Sequence, residues 1–272
     1  MKNIELAVFD IEGTISDKVQ IPKDVILGFE SLHRSGVKTT VVTGTGFIRV
    51  KELLGDYMDL IVSPNVPIGV ENGGKLVSKA GETVAHYPLD ESEIVDFLVF
   101  SHTLNPQYIV HYPNTRTERV QLWVPNQSEV EPLRVKHAQV ADAYTSDRSS
   151  LQNKIIEDNP SIIIARASDA EKNTLVPARF NTVVNEGSVH LNANGINKGS
   201  ALLEIARLSN VDIGHVLAAG NYLNDLPMFE QPVGERVLVG DLDISAYSYQ
   251  SLVKRVSSIE ELGRFLQEWT KE

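Results

Sequence analysis

The sequence predicts a doubly wound α/β core, a parallel sheet with helices on both faces, interrupted by an inserted α+β domain. Three observations point to it. Continuous apolar runs near both ends of the chain stop abruptly in polar loops rich in Gly, Asp, Asn and Thr; helix-length segments alternate with those runs; and the middle of the chain changes to paired strands joined by hairpin turns.

Leu6-Ala7-Val8-Phe9 reads as a fully buried strand that empties into Asp10-Ile11-Glu12-Gly13-Thr14. A helix is expected from about Pro22 to His33, with Pro22 in its first turn and Gly36 beyond its end. Val37 to Val42 is a second buried strand ending in Thr43-Gly44-Thr45-Gly46, followed by a helix from Phe47 to Leu54. The rhythm returns late: helix Lys198 to Leu208, strand His215 to Ala219, loop Gly220 to Asp225, a further helix, strand Arg236 to Val239, and a terminal helix near Ile259 to Trp269. Both ends therefore build one Rossmann-like core, expected over residues 1–74 and 190–272.

Between them, residues 75–189 read as the insertion, hung from the core by linkers near Gly73 and Asn192. Its expected strand pairs are Gly74 to Val77 with Thr83 to Tyr87, Tyr108 to Tyr112 with Arg119 to Val124, and Thr182 to Val184 with Ser188 to Leu191. Ala80-Gly81-Glu82 and Asn185-Glu186-Gly187 supply hairpin signals.

Composition narrows the function classes. A chain of 272 residues with 42% hydrophobic content can bury a sizeable core. The absence of cysteine removes disulfides and thiolate metal sites and fits a reducing compartment, so a cytoplasmic location is expected. The opening MKNIELAVFD is broken by Glu5 and Asp10, too short an apolar run for a leader or a membrane span, and no membrane partner is expected. With 25 Lys and Arg against 36 Asp and Glu, the formal charge is -11, and no basic cluster offers a nucleic-acid footprint. The same charge repels a phosphorylated small molecule, so a phosphate site here needs a divalent cation or a buried lysine. No readable motif speaks to oligomeric state.

In open parallel sheets, ligands bind at the carboxyl ends of the strands, which brings together residues distant in sequence. Those positions hold Asp10 and Glu12, Thr43 and Gly44, and Asn221, Asn224 and Asp225, joined by Lys198 at a helix start. Phosphoryl transfer needs a nucleophile, cationic charge and donors around the phosphate oxygens. Asp10 suits the nucleophile and Glu12 an acid/base. Thr43, Asn224 and the backbone near Gly13 and Gly44 suit phosphate binding, and Lys198 suits neutralisation. A lysine in the first turn of a helix opposes the macrodipole, so helix stability does not explain Lys198, whereas a nearby anion does. A hard ion such as Mg²⁺ prefers oxygen ligands, which Asp10, a carbonyl near Glu12, Asn221 and Asp225 can offer.

The segments FDIEGT, VVTGTG, ENGG, INKGSAL and GNYLNDLPM, in that order and spanning almost the whole chain, resemble the motif set of the haloacid dehalogenase superfamily, in particular its Cof-type, sugar-phosphate-phosphatase-like branch. The resemblance implies a Mg²⁺-dependent hydrolase of small phosphomonoesters, sugar phosphates or related metabolites. It implies that Asp10 is phosphorylated and then freed by water, that position 12 is the acid/base, that Thr43 and Lys198 handle phosphate, and that positions 221 and 225 belong to the metal loop. The insertion becomes a mobile cap.

Three positions depart from the family pattern. Glu12 and Asn221 stand where Asp is usual, and Thr45 where Arg often follows Thr-Gly, with Arg49 one turn later as a candidate substitute. Glu12 remains a carboxylic acid of similar intrinsic acidity, and a DIEGT segment also resembles that of the enolase-phosphatases. Asn221 keeps a carbonyl oxygen but loses a charge, so a weaker cation site is expected. Sugar phosphomutases resemble this core and cap, so mutase or phosphotransfer chemistry is one alternative; a catalytically weakened ligand-binding member, suggested by Asn221 and Thr45, is another.

Other residues carry structural expectations. Asp225, followed by Pro227, also suits a helix N-cap, and Thr43 and Thr45 suit capping of the helix near Gly46. Glu71 and Asn72 are expected to shape the junction between core and insertion. The seven histidines show no helical metal spacing. His111, Tyr112, Arg116, Arg119 and Trp123 share one hairpin of the insertion and could face a substrate.

Overall fold

A computed structural model of the chain describes residues 3–17, 19–114, 119–136, 141–167, 177, 179–185 and 187–269. Arg116 and Glu186 lie outside the described residues. The chain divides into two compact units, one of residues 1–85 and 197–272 and one of residues 86–196.

The first unit is built on a five-stranded parallel sheet in the order β14-β13-β12-β1-β2, with β1 Leu6–Phe9, β2 Lys38–Val41, β12 Val216–Gly220, β13 Glu235–Val239 and β14 Val253–Val256. Leu6 pairs in register with Val216 on one side and Lys38 on the other. The chain thus winds outward in both directions from β1 and β12, and the sheet's topological switch point falls between them.

The unbroken apolar run of β1 follows from burial on both faces. Ala7 and Phe9 enter one core with Leu217 and Ala219; Leu6 and Val8 enter the opposite core with Val216 and Ala218. The first core is closed by α1 (Lys23–Arg34), α2 (Phe47–Leu54), the single turn α3 (Met58–Ile61) and the terminal α9 (Ile259–Trp269). The second is closed by α7 (Lys198–Leu208) and α8 (Leu226–Glu230). Phe9 and Phe29 meet in the first core with ring centroids 4.8 Å apart.

A small sheet, β3-β4-β5 (Ile68–Val70, Lys75–Val77 and Thr83–His86), continues from the β2 edge through a parallel bridge between Val42 and Gly69. The sequence reading placed the junctions of the inserted domain near Gly73 and Asn192; the compact units divide at 85/86 and 196/197, and at the first junction β4 turns back to pair antiparallel with β3.

The second unit carries a six-stranded sheet in the order β10-β11-β9-β6-β7-β8. Its strands are β6 Tyr108–His111, β7 Val120–Trp123, β8 Ala141–Tyr144, β9 Ile162–Arg166, β10 Thr182–Asn185 and β11 Ser188–Asn192. Only β7 and β8 run parallel; the other pairings are antiparallel. One face packs on α4 (Glu91–Thr103) and α6 (Arg148–Asp158) through Phe97, Leu98, Leu151 and Ile155; the other packs on α5 (Gln127–Lys136) through Val130. The architecture is the expected one: a doubly wound parallel core interrupted by an α+β domain.

Candidate active site

Asp10 is the first residue after β1, and Asn221 the first after β12, so the switch point delivers both to one place. The Asp10 backbone stays tied to the sheet through Asp10 N–H donating to the Ala219 carbonyl at 2.9 Å. Its side chain is 7% exposed.

Lys198 enters the site from the first turn of α7. Asn197 caps that helix, accepting from the Ser200 N–H at 3.0 Å while the Ser200 hydroxyl faces the Asn197 backbone. The lysine side chain is 1% exposed and donates to Asp10 Oδ1 and to Asp225 Oδ1, each at 2.6 Å. Burial works against the ammonium charge, yet the two carboxylates outweigh it and hold Lys198 above the ordinary lysine range. Burial, helped by the charge of Asp225 and opposed by that of Lys198, pushes the Asp10 carboxyl up to about 6. One cation between two carboxylates explains why this lysine accepts an unfavourable helix position.

Asp225 occupies the N-cap position of α8 without capping it. Its carboxylate reaches backwards instead: Oδ2 accepts from the Asn221 and Tyr222 N–H groups at 2.8 and 2.9 Å, and Oδ1 accepts from Lys198. The residue therefore folds the 220–225 loop onto itself and aims the lysine. Thr43 is likewise buried, and α2 has Gly46 at its N-cap and no side-chain cap, so the helix-capping role foreseen for Thr43 and Thr45 is not used; Thr43 Oγ1 instead accepts from the Thr45 N–H at 3.4 Å.

Glu71 and Asn72 both sit in the left-handed region, φ 58° and 55°, and strap the 43–45 loop. Asn72 N–H donates to the Thr43 carbonyl and Glu71 N–H to the Thr45 carbonyl, both at 2.9 Å. Asn224 Nδ2 donates to Asn72 Oδ1 at 3.2 Å, beside Gly44, where a Cβ would stand 3.0 Å from that same oxygen. Asn224, Asn72, Thr43 and Gly44 thus form one connected wall.

Glu12 is partly exposed, and its Oε1 lies 3.7 Å from an Arg49 guanidinium nitrogen. Arg49 also meets Glu52 at 3.1 Å. The arginine therefore reaches the site through Glu12. Thr14, which sequence reasoning did not single out, donates from its hydroxyl to Asp10 Oδ2 at 3.1 Å. Its signal was present: it is a small hydroxyl residue closing the FDIEGT loop.

Gly13 adopts φ +87°, and a Cβ there would collide with the Asn221 carboxamide. That carboxamide turns one atom inward, 3.2 Å from Asp10 Oδ2, 3.2 Å from the Glu12 carbonyl oxygen and 3.0 Å from Thr14 Oγ1. Among the described residues no group of three His, Cys, Asp or Glu side chains is assembled to hold a metal. Mg²⁺ takes oxygens at about 2.1 Å in an octahedron, which sets neighbouring ligands about 3 Å apart. With the amide oxygen inward, Asp10 Oδ2, the Glu12 carbonyl and Asn221 Oδ1 fit such an ion as a set with one full negative charge.

A buried Asp-Lys-Asp cluster thus stands at the carboxyl ends of the parallel strands, in a core interrupted by an α+β domain. The model of the haloacid dehalogenase-like hydrolases matches residues 7–242, and the chain belongs to that family. No curated protein sequence matches it. Among solved structures it is similar to BT1666 of Bacteroides thetaiotaomicron, a phosphatase of the haloalkanoate superfamily, with 17% identity, 98% of this chain and 95% of that one covered, and a TM-score of 0.73. BT4131, a subclass IIB sugar phosphatase, shares 16% identity over 97% and 98% of the two chains with a TM-score of 0.74. TM0651 of Thermotoga maritima shares 16% identity over 97% of each chain with a TM-score of 0.70. Among the described residues no helix is long and apolar enough to cross a membrane.

Proposed function

We propose that the protein is a phosphatase acting on small phosphomonoesters, sugar phosphates or related metabolites, through a phosphorylated Asp10. The observation that carries this reading is Lys198, buried and shared at 2.6 Å between Asp10 and Asp225 in a family of hydrolases. A nucleophilic carboxylate needs a fixed orientation, and a transferred phosphoryl group needs cationic charge that does not reorganise as the reaction proceeds.

An Asp10 oxygen attacks phosphorus, the ester P–O bond breaks, and the leaving alkoxide takes the proton of the Glu12 carboxyl group. Glu12, now a carboxylate, accepts a proton from water as the water oxygen attacks phosphorus. The P–O bond to Asp10 then breaks, releasing orthophosphate and restoring Asp10. Lys198, the Thr43 hydroxyl, Asn224 and the backbone around Gly13 and Gly44 receive the phosphate oxygens. Asp10 Oδ2, the Glu12 carbonyl and Asn221 Oδ1 would hold Mg²⁺, with Asp225 adding negative charge behind them. The ion would supply charge neutralisation for phosphate oxygens. The inserted unit, residues 86–196, serves as the cap that selects the substrate.

The test is orthophosphate release from a panel of phosphorylated metabolites with Mg²⁺, by wild type and Asp10→Asn. Release that disappears in the variant while its melting curve is retained supports the reading. Unchanged turnover would sink it. An isomerised sugar phosphate in place of free phosphate would replace hydrolysis with mutase chemistry.

A further inference from the structure

We infer that the Asn221 carboxamide is a built-in stand-in for the cation: with Nδ2 turned inward it ties Asp10 to the Glu12 carbonyl, and a divalent cation takes the site only by turning the amide over. The inference rests on the reading of this pocket as the phosphoryl-transfer site, since that reading puts a cation among these oxygens.

Proton counting favours the inward nitrogen. The inward atom faces Asp10 Oδ2 and the Glu12 carbonyl oxygen, both at 3.2 Å, and neither carries a proton to give when Asp10 is ionised. Thr14 has one hydroxyl proton, and Asp10 Oδ2 at 3.1 Å accepts it. An inward amide oxygen would therefore face two bare oxygens and compete with a carboxylate for that proton. An inward NH₂ group brings two protons to the acceptors, and at 3.0 Å from Thr14 Oγ1 it closes the ring. Asp10 Oδ1 is already served by Lys198 and Oδ2 by Thr14, so what the inward amide adds is a second donor to Oδ2 and a donor to the Glu12 carbonyl. Turned the other way, the amide would give the Glu12 carbonyl no donor and would leave the single Thr14 proton to be shared, which makes that orientation the less favourable one.

An aspartate at position 221 could not do this. It would set three proton-free oxygens about 3 Å apart, an arrangement that only a cation relieves. The asparagine thus changes more than charge: it supplies the donors that otherwise only a metal would replace. Turning the amide over forfeits those hydrogen bonds, so cation affinity falls both from the missing charge and from the contacts given up. The nucleophile remains positioned throughout.

Calorimetric titration with Mg²⁺ alone, and thermal melting in chelator and in millimolar Mg²⁺, test this on wild type, Asn221→Asp and Asn221→Ala. Wild type is expected to melt alike in both conditions. Asn221→Asp is expected to melt lower in chelator, to recover in Mg²⁺, and to bind Mg²⁺ at least about tenfold more tightly. Asn221→Ala is expected to melt lower in chelator with no recovery. Wild type binding Mg²⁺ as tightly as Asn221→Asp, or Asn221→Ala melting with wild type in chelator, overturns the inference. If Asn221→Asp does not fold in either condition, the alanine variant decides. None of these readouts needs turnover: a protein that releases no phosphate from any ester loses the proposed activity while this result stands or falls separately.

Discussion

Lys198 and Asp225 form an ion pair, Nζ to Oδ1 2.6 Å, in which neither side chain is more than 1% exposed. Because Asp225 also accepts two backbone N–H groups on its other oxygen, it is acceptor on every side. An amide cannot reproduce that. Asp225→Asn must turn an NH₂ group either toward the ammonium or toward two N–H donors. The expected loss is about 3–5 kcal/mol, the range for removing one partner of a buried pair. Urea denaturation measures it; a variant as stable as wild type would show that the pair does not hold the loop.

Gly13→Ala places a methyl group against the Asn221 carboxamide at a backbone angle of φ +87°. The strain alone is worth roughly 1–3 kcal/mol. Since Asn221 must move, phosphate release should fall far more than stability does. Equal, small effects on both would mean that the loop relaxes without disturbing Asp10.

The second unit carries a pH dependence of its own. His111 is fully buried, and its Nε2 lies 2.7 Å from Asp158 Oδ2 while its Nδ1 has no hydrogen-bond partner among the described residues. Burial holds its pKa below the ordinary histidine value of 6.5, more than the hydrogen bond and charge of Asp158 raise it. The unfolded chain therefore takes up a proton below about pH 6.5 that the folded one refuses, and stability falls as pH drops from there toward the folded pKa. For Asp158, burial raises the pKa but the hydrogen bond and charge of His111 and the charge of Lys154 outweigh it, leaving it below 3.8. Its contribution is present above that value and lost as pH falls through the folded pKa. His111→Gln keeps a donor for Asp158 and removes the titration. Its drop in melting temperature between pH 7.5 and 5.5, both set at about one unit from 6.5, should be smaller than that of wild type; an equal drop would place the pH sensitivity elsewhere.

Phe29 anchors α1 on the sheet against Phe9, and both rings are wholly buried. Phe29→Ala should cost about 3–5 kcal/mol in denaturant. Activity per folded molecule should survive, in contrast to the site variants. A loss below about 1 kcal/mol would mean the core closes over the gap.

Much of the core was legible because burial on both faces makes β1 and β12 continuously apolar and because polar loops follow them at once. The limits of α2, α7 and α9 coincide with the sequence reading, as does β1. β14 was not foreseen: it is an edge strand whose Lys254 and Arg255 face solvent, so it lacks an apolar run. The helix α4 was also passed over, although Ile94, Phe97, Leu98 and Ser101 recur at helical spacing and Asp90 with Glu93 forms a capping box. Its signal was present but sat among strand-like neighbours.

The sequence by itself determined the alternation of strands and helices at the two ends of the chain, the carboxylates and lysine at strand and helix ends, and the carboxamide at position 221. Those are local properties, written in apolar runs and in residue types next to them. Only the tertiary structure decided that Lys198 is shared by Asp10 and Asp225, residues 188 and 27 positions away, and that the Asn221 amide lies between Asp10 Oδ2 and the Glu12 carbonyl. Pairing across such separations depends on which strands become neighbours at the switch point. Which end of an amide turns inward depends on the acceptors that meet there, and no residue carries that information alone.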